Sequence, residues 1–153
     1  RLLEQLPAET RRALPEVGPT VDKLYGRAVE MGRALHETDA AGLDPLRITR
    51  IETQIATLQS QPASGERDRQ IRLLEDQKGF YTQLQENRKT IADRLSSSTM
   101  ALQNIRLKLL SLKSQGLQAG LGELTQVTQA AQALSRDVDF QLQAAREINE
   151  ALG

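Results

Sequence analysis

Cysteine and tryptophan are absent from this 153-residue chain, and aromatic residues make up only 3% of it. Without cysteine there can be no disulfide, no thiolate metal site and no cysteine nucleophile, which suits a reducing, cytoplasmic setting. The shortage of aromatics argues against a compact α/β enzyme, whose core normally buries several. No charge of one sign dominates: twenty basic residues balance twenty acidic ones, so no net field draws the chain to nucleic acid or to an acidic membrane. No apolar run approaches the ~20 residues needed to cross a bilayer, and no signal-peptide pattern is visible, so direct membrane insertion is not expected. Because the chain begins with Arg1 rather than Met, it reads as a segment of a longer polypeptide, and a membrane anchor could lie in parts not shown.

What remains is rich in Leu, Gln, Ala, Arg and Glu, the composition of long helices. From Gln70 to Leu112 no proline intervenes. Across that stretch Leu74, Gln77, Tyr81, Leu84, Arg88, Ile91, Leu95, Ser98, Leu102, Ile105, Leu109 and Leu112 alternate three and four residues apart. That spacing lines one stripe of a helix, the seam by which it packs against another helix. At ~1.5 Å per residue the spine would run roughly 75 Å, too long for the interior of a compact globule. The fold class expected is therefore all-α, an elongated antiparallel coiled coil or three-arm helical bundle with one long central helix.

Residues 1–18 read as a proline-broken helical lead-in, and 19–153 as the bundle, with arms at about 19–61, 65–115 and 122–152. Pro7 can start a short helix through Leu14, and Pro19 suits the first turn of the next, where its missing N–H costs nothing. Asp44-Pro45 offers an N-cap followed by proline at the first helical position, and Gly42 a terminator before it. The first arm is thus either continuous or broken near 40–44. Gln61 to Gly65 is the clearest loop, with Ser64 placed to cap the spine. Gly116, Gly120 and Gly122 mark a turn, after which Leu124, Val127, Ala131, Leu134, Val138, Gln141, Ala145, Ile148 and Leu152 continue the 3-4 alternation. Short turns make successive arms antiparallel.

Polar residues in the seams, Gln77, Arg88, Ser98 and Gln141, would fix register at some cost in stability or mark positions where a partner binds. A long side chain such as Arg88 can also carry its charge out of the seam into solvent. Signals for chemistry are nearly absent. His36 is the one histidine, and no HExxH or EF-hand spacing accompanies it. Asp137 and Asp139, two apart on a helix, face different directions and make a poor acid–base pair. The hydroxyl run from Ser96 to Thr99 could accept phosphate or simply allow close helix approach. No catalytic residue, cofactor site, metal site or small-molecule ligand is expected. Scattered basic residues such as Arg67, Arg69, Arg72, Lys108 and Lys113 do not form the one-sided strip that nucleic acid requires.

Three stretches carry a family resemblance: Ala101 to Leu110, Val127 to Asp137, and Leu14-Pro15-Glu16-Val17 followed by Val21 and Leu24. Together they resemble the helical region that follows the kinase domain in certain bacterial serine/threonine protein kinases. The resemblance implies a non-catalytic scaffold or regulatory region that mediates self-association or docks a protein partner. Kinase chemistry needs a Gly-rich loop, a β3 lysine, His-Arg-Asp and Asp-Phe-Gly. Here His36 is followed by Glu37-Thr38, and Asp139-Phe140 by Gln141, so no catalytic residue carries over. The alternative is a free-standing coiled-coil adaptor or membrane-remodelling structural protein. A kinase domain encoded upstream of Arg1 would separate the two.

Overall fold

The computed structural model describes residues 2–40, 44–115 and 117–152. Among these described residues a 3-10 turn at Leu3–Gln5 precedes five α-helices: α1 (Ala8–Ala13), α2 (Val17–Ala40), α3 (Leu46–Gln59), α4 (Gly65–Gln115) and α5 (Leu117–Leu152). No strand occurs among the described residues. The fold is an all-α helical bundle, and the proline-free spine is one helix of 51 residues.

The helix starts follow from local chemistry. The Arg67 N–H donates to Ser64 Oγ at 3.1 Å and the Asp68 N–H to the Ser64 carbonyl at 3.1 Å, so Ser64 caps α4 as its position predicts. Arg67 Nη1 also donates to the Gln61 carbonyl at 2.9 Å, tying the loop to the first turn. At α3 the Leu46 N–H donates to Asp44 Oδ1 at 2.9 Å, and Pro45 between them supplies a preset φ. The first arm is two helices, α2 ending at Ala40 and α3 beginning at Leu46. Gly42, the expected terminator, lies outside the described residues.

The helices divide into two compact units, one of Arg1–Ala34 with Ile91–Gly153 and one of Leu35–Thr90. In the first unit α2 and α5 run parallel and α4 runs antiparallel to both. Gln132 Nε2 donates to Glu16 Oε2 at 3.1 Å and to Thr20 Oγ1 at 3.2 Å, and further along Arg146 reaches Glu30 at 3.4 Å. Lys108 pairs with Glu123, and Arg94 with Asp137 at 3.4 Å. The core joins Leu6, Val17, Leu24, Ile105, Leu109, Leu112, Leu124 and Ala131, with Leu3, Leu14, Val21, Leu102, Val127 and Leu134 packed against it. Each leucine fully buried in this way contributes roughly 1.5–3 kcal/mol.

Three boundaries differ from the sequence expectation. The lead-in is not a separate piece, because Leu6 and Thr10 are buried and Leu3 and Leu14 pack on the core of the first unit. The last arm begins at Leu117, not near 122, so Gly120 and Gly122 lie within α5. A side chain at Gly120 would meet Leu112 Cδ2 at 2.8 Å. That glycine therefore serves close packing between α4 and α5 instead of a turn. Gly116 lies outside the described residues. Finally, the two packed units cut across the arms, each arm except α5 being shared between them.

The second unit is thinner. It holds the end of α2 (35–40), α3, and residues 65–90 of α4, with α3 and α4 antiparallel. Lys78 pairs with Glu52 at 2.8 Å, and the Arg47 guanidinium lies 4.7 Å from the Tyr81 ring centroid. Ile51 is its one buried residue among those described.

Candidate functional site

Ile91, Ile105, Leu109, Leu112, Leu124 and Val138 are buried, and Leu74, Tyr81, Leu84, Leu95, Leu102, Val127, Leu134 and Ile148 are half-buried. On α5 the most buried face is wider than the seam predicts. Thr128, Ser135 and Leu142, each one residue beyond Val127, Leu134 and Gln141, are more deeply covered than those neighbours. α5 packs on both α2 and α4, and two contacts demand a broader stripe than one. Their 4-3 spacing with Leu124, Ala131 and Val138 is the signal that could have shown it.

The polar seam residues separate into three kinds. Ser98 is fully buried and its Oγ donates to the Arg94 carbonyl at 2.8 Å. Gln141 is half-buried and Gln77 exposed. Arg88 is exposed and leaves the seam to meet Asp39, Nε to Oδ1 at 2.5 Å and Nη2 to Oδ2 at 3.2 Å. The hydrogen bond from Arg88 holds the Asp39 carboxyl below the ordinary carboxylate range, aided by the Arg88 charge and by His36.

The candidate chemical groups are spent on structure. Asp139 lies between Arg27 Nε at 2.6 Å and Lys23 Nζ at 3.4 Å; the Arg27 contact is an ion pair whose angle is not that of a hydrogen bond. Asp137 takes Arg94, and Lys113 Nζ donates to Gln5 Oε1 at 2.9 Å. His36 is exposed on α2. Within the hydroxyl run, Ser96, Ser97 and Thr99 are exposed and Ser98 is buried. Among the described residues no group of three or more His, Cys, Asp or Glu could hold a metal ion. No helix among them is long and apolar enough to cross a membrane.

Open hollows and several exposed apolar side chains are among what the described surface offers a partner. In the second unit an open groove of about 520 Å³ runs between α3 and α4, lined by Thr53, Gln54, Thr57, Leu58, Gln70, Leu73 and Leu74. In the first, a smaller hollow of about 190 Å³ is lined by Pro19, Thr20, Lys23, Gln132 and Ser135, and the Ser135 hydroxyl has no hydrogen-bond partner. Leu73, Phe80, Met100, Leu107 and Phe140 are exposed. Leu73 and Phe80 escaped the seam reading because each sits one residue before a seam position, Leu74 and Tyr81. Their own stripe, Gln70, Leu73, Gln77, Phe80 and Leu84, keeps the same 3-4 spacing and was legible on that basis. No protein-family model, curated protein or solved structure matches the chain.

Proposed function

We propose that this chain is a helical scaffold that works through protein–protein contact, self-association or partner docking, and performs no chemistry of its own. The observation that carries the reading is the distribution of apolar side chains. After the helices have filled their cores, Leu73, Phe80, Met100, Leu107 and Phe140 remain on outward faces, where scattered polar residues would serve solubility better. The charged groups that could have served catalysis are taken up in ion pairs between helices. On the strength of the sequence resemblance, the attached module is a bacterial serine/threonine kinase domain in the cytoplasm. A scaffold that brings two such domains together raises their effective concentration for trans-phosphorylation.

Deleting the segment from the parent protein tests this. The expected outcome is unchanged activity at high enzyme concentration and a loss in dilute solution. An equal loss at every concentration would place the segment within the catalytic machinery and overturn the reading. The coding sequence upstream of Arg1 tests the kinase attachment separately: it should contain a Gly-rich loop and catalytic-loop motifs, and their absence would leave the free-standing adaptor.

A further inference from the structure

We infer that the α3–α4 hairpin docks on a second copy of this chain, with α4 lying antiparallel on α4 of the other molecule. The inference rests on the scaffold reading and names the partner that scaffold takes. Three observations converge on it. The first is that the second unit is underfilled. Among the described residues the unit buries one, Ile51, and leaves Leu73 57% and Phe80 38% exposed on a single stripe with Gln70 and Gln77. The groove between α3 and α4 reaches this stripe at Gln70 and Leu73.

The second is phase. Gln70, Gln77, Leu84, Ile91, Ser98, Ile105 and Leu112 fall at intervals of seven, as do Leu73, Phe80, Asn87, Arg94, Ala101 and Lys108. In the first unit these two rows form the face of α4 that receives α5. Ile91, Ser98, Ile105 and Leu112 are buried there, and Arg94 and Lys108 pair with Asp137 and Glu123. The heptad spacing runs on in the sequence through residues 70–80, and there Leu73 and Phe80 are exposed. The heptad pattern that takes an antiparallel helix in the first unit thus recurs in the second with its apolar side chains uncovered.

The third is charge. Arg69 and Asp76 flank the stripe one heptad apart. Among the described residues Arg69 makes only a loose contact of 3.6 Å with Glu66, and Asp76 has no ion-pair partner. A two-fold antiparallel pairing centred near residue 72 brings Arg69 of each copy against Asp76 of the other, twice. Arg69 and Asp76 lie on the same flank of the stripe, and such flanks face each other in an antiparallel pair but lie on opposite sides of a parallel one, so these ion pairs form only in the antiparallel arrangement. In that register the two Leu73 side chains flank the axis. Phe80 then lies over Gly65 of the second copy, where a Cβ would meet nothing within 4 Å.

Sedimentation equilibrium of the 153-residue chain across the micromolar range tests the inference. The expected mass rises with concentration towards twice 17.0 kDa. Leu73→Glu should abolish the rise while the thermal melt at concentrations too dilute for association stays unchanged, and Leu107→Glu on an unrelated face should leave the rise intact. Arg69→Asp and Asp76→Arg should each weaken association about tenfold, and the double swap should restore it. A chain monomeric throughout, or a dimer indifferent to Leu73→Glu, overturns the proposal. Single reversals without effect, or a double swap that fails to rescue, overturn the antiparallel register. None of these outcomes bears on the deletion experiment in the parent protein, so failure of the dimer and failure of the scaffold reading are read separately.

Discussion

Arg88 and Asp39, 49 residues apart, meet through two hydrogen bonds of 2.5 and 3.2 Å, the guanidinium holding both carboxylate oxygens. The pairing takes a basic residue off the long seam and uses it to tie the end of α2 to α4 within the second unit. Because Asp39 is held below the ordinary carboxylate range in the folded chain, its contribution is present at neutral pH. That contribution is lost only as the pH falls through the depressed value. Arg88→Gln should therefore raise the Asp39 pKa towards that of a free aspartate, as measured by carboxyl-carbon NMR titration. Both side chains are about half exposed, so the melting temperature should hardly move.

Leu124, fully buried between α2 and α4 in the first unit, should be among the most sensitive positions. Leu124→Ala is expected to cost about 2–5 kcal/mol in chemical denaturation, through lost transfer energy and the cavity left behind. Leu109→Asp should prevent the first unit from folding at all, because it places a charge in the core. A melt unaffected by either change would show that the seam is assigned to the wrong face.

Ser135 is 2% exposed and its hydroxyl donates to nothing. Removing the hydroxyl removes an unsatisfied buried group and leaves only a small change in volume. Ser135→Ala should be neutral or stabilising by up to about 1 kcal/mol. Ser98→Ala, which deletes a hydroxyl bonded to the Arg94 carbonyl, should not share that gain. Paired urea titrations of the two variants make the comparison.

The two helical glycines of α5 should respond in opposite directions. Gly122 faces open space, so Gly122→Ala should stabilise by about 0.5–1 kcal/mol through the backbone entropy that glycine loses on folding. At Gly120 the same methyl meets Leu112 at 2.8 and 3.0 Å, and Leu112 is itself buried. Overpacking there costs roughly 1–3 kcal/mol and outweighs the helical gain. Thermal melts of the two single variants should therefore shift up for Gly122→Ala and down for Gly120→Ala.

These glycines also show where sequence reasoning stopped. The spine and the cap at Ser64 were legible because spacing and capping are local properties that tertiary packing did not override. Gly120 and Gly122 were read as a turn because glycine is a breaker by propensity. Only the approach of Leu112 reveals that Gly120 is small for the sake of contact. Thr128 and Ser135 were passed over for a related reason: a hydroxyl residue does not look like core. Thr128 is tolerated there because its Oγ1 donates back to the Leu124 carbonyl at 2.7 Å. The stripe through Leu73 and Phe80 was hidden by its overlap with the stronger seam beside it, the two sharing Gln77 and Leu84.

The parallel placement of α2 beside α5 has a kinetic consequence. Lys108 and Glu123 on α4 and α5 are 15 residues apart, whereas the α2–α5 contacts at Gln132 and Arg146 close loops of 112 and 116 residues. The difference in loop-closure entropy is about 2 kcal/mol. That difference favours closing the α4–α5 hairpin before the α2–α5 contacts, which bring Val17, Leu24 and Met31 into the unit. Until α2 docks, the α4–α5 pair carries an uncovered apolar trough where those three side chains come to lie.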